Sequence, residues 1–176
     1  SLWSKKNFPH VTTGNSWGPR KPGKLRVGYL SSDFRRHPTA YLINGLLRNH
    51  DKENFEIFVY CSGWDDGSEI RREILKNSDF YRSVSDLSDA SAADLIRSDD
   101  LDILVELNGV TKANRLGILC HRPAPVQLCY LGWPGTVGGR FADYIVADDY
   151  ILGEEKSSLY PEQIVWLPDT YQINDY

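Results

Sequence analysis

Short, uninterrupted apolar runs recur along this chain, and each gives way to a polar or helix-patterned stretch. "KLRVGYLSS" (24–32), "FEIFVYC" (55–61), "LDILVELNG" (101–109), "VQLCYLG" (126–132) and "DYIVADD" (143–149) are rich in branched and aromatic residues and read as strands. "DFYRSVSDLS" (79–88) holds a shorter strand, and "QIVWLP" (163–168) is one more short run. Between them, "PTAYLINGLLRNHD" (38–51) places Pro38 at a first helical position, with Tyr41, Leu42, Leu46 and Leu47 at helical spacing and Gly45 as a weak spot. "SGWDDGSEIRREILKN" (62–77) predicts a turn and then a helix with Ile70 and Ile74 on one face. "DASAADLIRSDD" (89–100) and "TKANRLGILCHR" (111–122) predict two further helices, the last ended by "RPAP". Strands without a polar face must be covered on both sides. Alternating with helices, they specify an α/β fold with a doubly wound, mostly parallel sheet.

The chain has 176 residues, of which 41% are hydrophobic and 25% charged, enough for one domain with a substantial core. A net charge of −4 gives no basis for a nucleic-acid partner. No apolar run is long enough to cross a bilayer, and "SLWSKKNF" lacks the order of a secretory signal. Cys61, Cys120 and Cys129 lie in or beside apolar segments without CxxC spacing, so three reduced core thiols in a cytoplasmic protein are expected. The first 26 residues hold Lys5, Lys6, Arg20, Lys21, Lys24 and Arg26 and no acid, punctuated by Gly and Pro. Residues 1–23 therefore read as a flexible lead-in, and residues 24–176 as one lobe. No Met opens the chain and it stops abruptly at "YQINDY"; the expectation is a fragment of a longer protein.

Ligands of such sheets bind beyond the carboxyl ends of the strands, at a switch in strand order. The segments "SSDFRRHPT", "SGWDDG", "NGVTK" and "LGWPGTVGGR" each follow a strand and should form one rim. Asp33, Arg36 and His37 there could do acid/base chemistry and recognise an anion. By spacing alone the plainer reading is stronger: Asp33 turns the chain and His37 packs beside Pro38. Gly132, Gly135, Gly138 and Gly139 permit close approach to a ligand, or simply a turn with Pro134. Neither GxGxxG nor GxxxxGK[ST] is present at a strand–helix junction, nor a GxSxG elbow. Asp100 and Asp102 precede their strand and belong to the opposite rim. With Asp148 and Asp149 they read as turn and cap residues. His10, His37, His50 and His121 lack metal-ligand spacing.

Taken together, "LRVGYLSSDFRRHPT", "ILVELNGVT", "RPAPVQLCYLGWPGT" and "DYIVADDYI", in this order, resemble the catalytic region of the O-linked N-acetylglucosamine transferases and the related SPINDLY proteins. The resemblance runs from about Lys24 to the C-terminus. It implies a B-type glycosyltransferase with two Rossmann-like lobes, of which this chain is the first. It implies inverting transfer of N-acetylglucosamine from UDP-GlcNAc to Ser or Thr hydroxyls of protein acceptors, without a metal or other cofactor. Asp33 matches an aspartate proposed to help remove the acceptor proton. His37, Pro38 and Thr39 match residues at the donor phosphate and sugar, with Asp33 and His37 the catalytic candidates. Leu131, Gly132, Pro134, Gly135 and Thr136 match the sugar-binding segment. Further phosphate contacts, including a lysine, would come from the second lobe, and TPR repeats often precede the first. Trp133 stands where animal relatives have tyrosine, and Arg35 and Arg36 replace a smaller pair; a GDP-fucose donor is the alternative these departures leave open. A catalytically silent interaction domain and a free-standing nucleotide binder are the other readings. The isolated lobe is expected to show no turnover.

Overall fold

A computed structural model describes residues 17–138 and 141–174. Residues 1–16, including His10 and most of the lead-in, lie outside the described residues, as do Gly139 and Arg140 of the glycine-rich loop. The elements alternate as the apolar pattern dictates: β1 (Leu25–Ser31), α1 (Pro38–Asn49), β2 (Phe55–Cys61), α2 (Glu69–Asn77), β3 (Phe80–Ser83), α3 (Asp89–Ser98), β4 (Ile103–Glu106), α4 (Leu116–Cys120), β5 (Val126–Cys129), β6 (Tyr144–Ala147), a 3₁₀ turn (Glu154–Leu159) and β7 (Gln163–Trp166).

The strands form one seven-stranded sheet in the order β3-β2-β1-β4-β5-β6-β7, with every pairing parallel. The chain runs outward from β1 to β3, returns to the other side of β1, and continues to β7. Parallel crossovers are right-handed, so this reversal must move the helices to the opposite face. The core divides accordingly. Ala40, Ile43 and Leu47 of α1 and Ile70 and Ile74 of α2 pack with Val27, Tyr29, Ile57, Val59 and Val105. Ala92, Ala93 and Ile96 of α3 and Leu116, Ile118 and Leu119 of α4 pack with Leu30, Phe58, Tyr60 and Leu104. Alternate residues of one strand serve alternate faces, which is why the strands read as unbroken apolar runs.

Side chains set the helix starts. Ser68 Oγ accepts the Arg71 N–H at the head of α2, and Ser88 Oγ the Ser91 N–H at the head of α3. α4 is shorter than the 111–122 helix that spacing predicts. Thr111 Oγ1 donates to the Asn108 carbonyl, Asn114 N–H to the Thr111 carbonyl, and Ala113 sits at φ +63°. Such local bonds compete with helix formation. Arg122, at φ +49°, ends the helix ahead of Pro123.

Asp100 and Asp102 lie at the amino-terminal rim, as their place before β4 requires. Asp102 accepts the Arg26 N–H at 2.9 Å and pairs with Arg20 at 3.2 Å, while Asp100 pairs with Lys21. The three cysteines are free and buried. Burial pushes the Cys120 thiol up to about 12, which removes it as a nucleophile near neutral pH.

Leu104 is fully buried in the central strand, so Leu104→Ala should cost about 2–5 kcal/mol in urea unfolding. Tyr150→Ala, at a side chain 97% exposed, should change stability by less than about 0.5 kcal/mol.

Candidate active site

The reversal of strand order falls between β1 and β4, and the polar residues that follow these two strands meet there. Ser31, Ser32 and Asp33 leave β1; Glu106, Asn108 and Gly109 end β4. All but Gly109 are polar and buried, in a region where the strands carry almost only apolar side chains. Asn108 joins the two segments. Its Oδ1 accepts from Ser31 Oγ at 3.1 Å and Ser32 N at 2.9 Å; its Nδ2 donates to Ser32 Oγ at 3.1 Å and Asp33 Oδ2 at 2.7 Å. Neither Asn108 nor Glu106 is among the candidates that spacing and resemblance supply. The available signal was two strongly polar side chains inside the run "ILVELNG", which must be hydrogen-bonded if the strand is buried.

Asp33 is held at both oxygens. Arg35 Nη2 donates to Oδ1 at 2.8 Å, opposite the Asn108 bond at Oδ2. Arg35, without a role in the sequence, thus neutralises Asp33, and its guanidinium lies 4.2 Å from the ring centre of Trp64, a side chain 61% exposed. Arg36 is itself exposed, and its main-chain N–H binds Asp66 at 2.7 Å. That bond, with help from Ser68, holds the Asp66 carboxyl down, to about 2. Arg71 reaches from α2 beneath the loop to the Phe34 carbonyl at 3.0 Å.

His37 is the N-cap of α1, directly ahead of Pro38. Its Nδ1 accepts the N–H of the buried Thr39 at 3.3 Å, which places the ring proton of the neutral imidazole on Nε2. Asp33 Oδ2 lies 3.7 Å from the same Nδ1, too far for a hydrogen bond. The Ala40 and Tyr41 N–H groups turn back to the His37 carbonyl at 3.0 and 3.3 Å. His37 therefore occupies the early donors of α1, and its own Nε2–H is the group it can offer a ligand.

The other wall comes from the segment after β5. Leu131 stands at φ +73°, and the Gly132 N–H reaches back to the Tyr130 carbonyl at 3.0 Å, a γ-turn of the left-handed kind. A leucine in this conformation is strained, and tertiary bonds hold it there. Tyr130 N–H binds the Glu106 carbonyl at 3.0 Å, and Gly132 N–H is shared with the Leu107 carbonyl at 3.1 Å. A Cβ on Gly132 would lie 2.1 Å from that carbonyl oxygen, so only glycine permits the approach. Trp133, 39% exposed, packs on Gly109. Beyond the exposed Pro134 and half-buried Gly135, the loop turns to another buried acid. Glu162 accepts the Thr136 hydroxyl at 2.7 Å and the Val137 N–H at 3.0 Å. The four post-strand segments thus form one rim: Ser62 N–H binds the Ser31 carbonyl at 2.9 Å, and Trp64 and Asp66 flank Arg35 and Arg36. Among the described residues, no group of three or more His, Cys, Asp or Glu side chains is placed to hold a metal ion.

Comparison with known proteins gives this geometry a family. The sequence matches the family described as Glycosyl transferase family 41 over residues 3–176. The chain belongs to glycosyl transferase family 41. The family match begins ahead of Lys24, where the motifs quoted above start. The chain is 39% identical over 153 residues to the probable UDP-N-acetylglucosamine–peptide N-acetylglucosaminyltransferase SEC of Arabidopsis thaliana, covering 87% of this chain and 16% of that protein. It is 31% identical over 174 residues to the probable enzyme of that name designated SPINDLY in Oryza sativa subsp. japonica, covering 96% and 19%. An O-GlcNAc transferase mutant from Thermobaculum terrenum superposes with a TM-score of 0.90 at 31% identity, over 97% of this chain and 33% of that one. The chain thus spans less than a fifth of these curated relatives and a third of the solved structure. The family-41 lobe has the doubly wound parallel sheet inferred from its apolar runs and the Rossmann-like form that the resemblance implies.

Glu106 gives this family-41 rim a pH signature. Its carboxyl is fully enclosed, and burial pushes it up to about 8 although the Gly109 and Asn108 N–H groups favour its charged form. Folding therefore binds a proton to it. The stability this group contributes is complete below its ordinary value of 4.5 and is lost as pH rises through about 8. Urea unfolding from about pH 5 to about pH 9 should show a declining component that Glu106→Gln removes. An unchanged slope in the variant would contradict the assignment.

Proposed function

We propose that this chain is the first lobe of the catalytic region of a protein glycosyltransferase that moves N-acetylglucosamine from UDP-GlcNAc to Ser or Thr hydroxyls, with inversion. The observation that carries the reading is that the end of β4 ties both segments together, Asn108 bonding Asp33 ahead of His37 and the Leu107 carbonyl bonding Gly132, in a chain of family 41. In this reaction the acceptor oxygen forms a bond to the anomeric carbon as the bond from that carbon to the diphosphate oxygen breaks. The hydroxyl proton leaves and negative charge accumulates on the diphosphate. Asp33 is the proposed proton acceptor, directly or through a bridging water. Arg35 and Asn108 occupy one site on each of its oxygens, and a carboxylate offers about four.

His37 is the proposed donor-side group. Its Nε2–H can meet the diphosphate or sugar while Nδ1 stays engaged at the helix start. Pro38 and Thr39 fix that start. Leu131, Gly132, Pro134, Gly135 and Thr136 are proposed to line the sugar, with Thr136 acting through the loop that Glu162 closes. Donors from a second lobe complete the phosphate site, and the reading needs no metal. The implied partners are a nucleotide sugar and a protein acceptor. No helix of the described residues is long and apolar enough to cross a membrane. The free thiols suit a reducing compartment, and we place the protein in the cytoplasm, with TPR repeats ahead of this lobe.

The test uses the full-length protein with UDP-GlcNAc or GDP-fucose, read by nucleotide release and protein labelling. UDP-GlcNAc should support transfer, and Asp33→Asn and His37→Ala should each lower kcat by about a hundredfold or more without loss of fold. Wild-type rates in both variants would sink the residue assignment. Labelling from GDP-fucose alone would reassign the donor.

A further inference from the structure

Asn108 is the buried side chain at the strand switch that bonds the Asp33 carboxylate and has no step in the reaction above; the buried Ser31 hydroxyl meets Asp33 only at its main-chain N–H, at 3.0 Å. We propose that Asn108, itself fixed by Glu106, is the positioning residue that aims the Asp33 carboxylate into the cleft. This assignment rests on the glycosyltransferase reading for its kinetic consequences but not for its geometry.

Two features set Asn108 apart from an ordinary loop staple. First, all four hydrogen-bonding positions of its amide are filled, and only in one orientation. Turned over, it would set its NH₂ against the Ser32 N–H and its carbonyl against the Asp33 carboxylate. Second, its main chain cannot swing. Glu106 Oε1 accepts the Asn108 N–H at 2.9 Å, and Oε2 accepts the Gly109 N–H at 2.6 Å. Glu106 is enclosed in the sheet, so the hold on Asp33 Oδ2 is set from β4, while Arg35 holds Oδ1 from the loop.

The division of labour within the amide makes the assignment separable from stapling. Oδ1 serves only Ser31 and Ser32, and therefore holds β1 to β4. Nδ2 reaches Asp33 at 2.7 Å, and its second bond, to Ser32 Oγ at 3.1 Å, is one the hydroxyl can replace by donating to a carboxylate. Asn108→Asp keeps the shape and the Oδ1 acceptor but replaces the donor with a carboxylate oxygen. The other titratable groups near Asp33 are Arg35 at 2.8 Å, His37 at 3.7 Å and Glu106, whose proton affinity the Asp33 charge raises further.

In the full-length transferase, Asn108→Asp should lower kcat about a hundredfold while KM for UDP-GlcNAc stays within about twofold, the pattern of a misaimed group and not of a lost binding contact. The acid limb of its pH–rate profile should move to higher pH, because two facing carboxylates retain a proton between them. A purely structural role predicts a lower melting temperature with neither change, and that result would overturn the proposal. A second measurement needs neither turnover nor a variant at position 108. With ¹⁵N-labelled asparagine, the side-chain amide resonance of Asn108 should follow protonation of Asp33, and the response should vanish in Asp33→Asn. An amide that ignores Asp33 would also overturn the proposal. If the wild-type protein transfers sugar from neither nucleotide, the glycosyltransferase reading fails, and the resonance still decides whether Asn108 holds Asp33.

Discussion

The pairing of β1 with β4 is the constraint on which the rest depends. These strands are separated by three helices and two strands in sequence, and they meet because the chain reverses direction across the sheet. Reversal leaves their post-strand loops diverging toward opposite faces, which is what opens a crevice in doubly wound sheets. Here polar side chains bridge the base of that crevice. The Asn108 amide closes the gap, and the α1 and α4 segments start from residues already tied together beneath them.

Two buried glutamates do a related job. Glu106 gathers the Asn108 and Gly109 N–H groups, and Glu162 gathers the Thr136 hydroxyl and the Val137 N–H. Each acid replaces the ladder partners that an irregular segment lacks, at the cost of taking a charge out of water. Around Glu106 that cost surfaces as a raised proton affinity. These segments need an internal acceptor because glycines bring backbone too close for side-chain packing, as at Gly132 against Leu107.

The sheet was legible from the sequence because its physics is local: unbroken apolar strands, Pro38 at a helix start, and Ile70 and Ile74 on one face of α2. The placement of Asp33 and His37 on one rim followed from the rule about strand ends, and the family from motifs shared over the whole lobe. What could not be read is set by contacts distant in sequence. Glu106 and Asn108 looked like the tail of an apolar strand, and their meaning lies 75 residues away at Asp33. Arg35 looked like a stray charge until Asp33 and Trp64 enclosed it. The helix expected over 111–122 failed in its first half because Ala113 adopts a left-handed turn that no residue preference announces.

The strained leucine turn has a further implication. Leu131 is held at φ +73° by the bonds that its neighbours Tyr130 and Gly132 make to the Glu106 and Leu107 carbonyls. The wall therefore arrives set: its conformational entropy is surrendered during folding, and an incoming sugar has less to order. Affinity at this surface should consequently be insensitive to loop dynamics, and selectivity should come from which shapes a stiff template rejects.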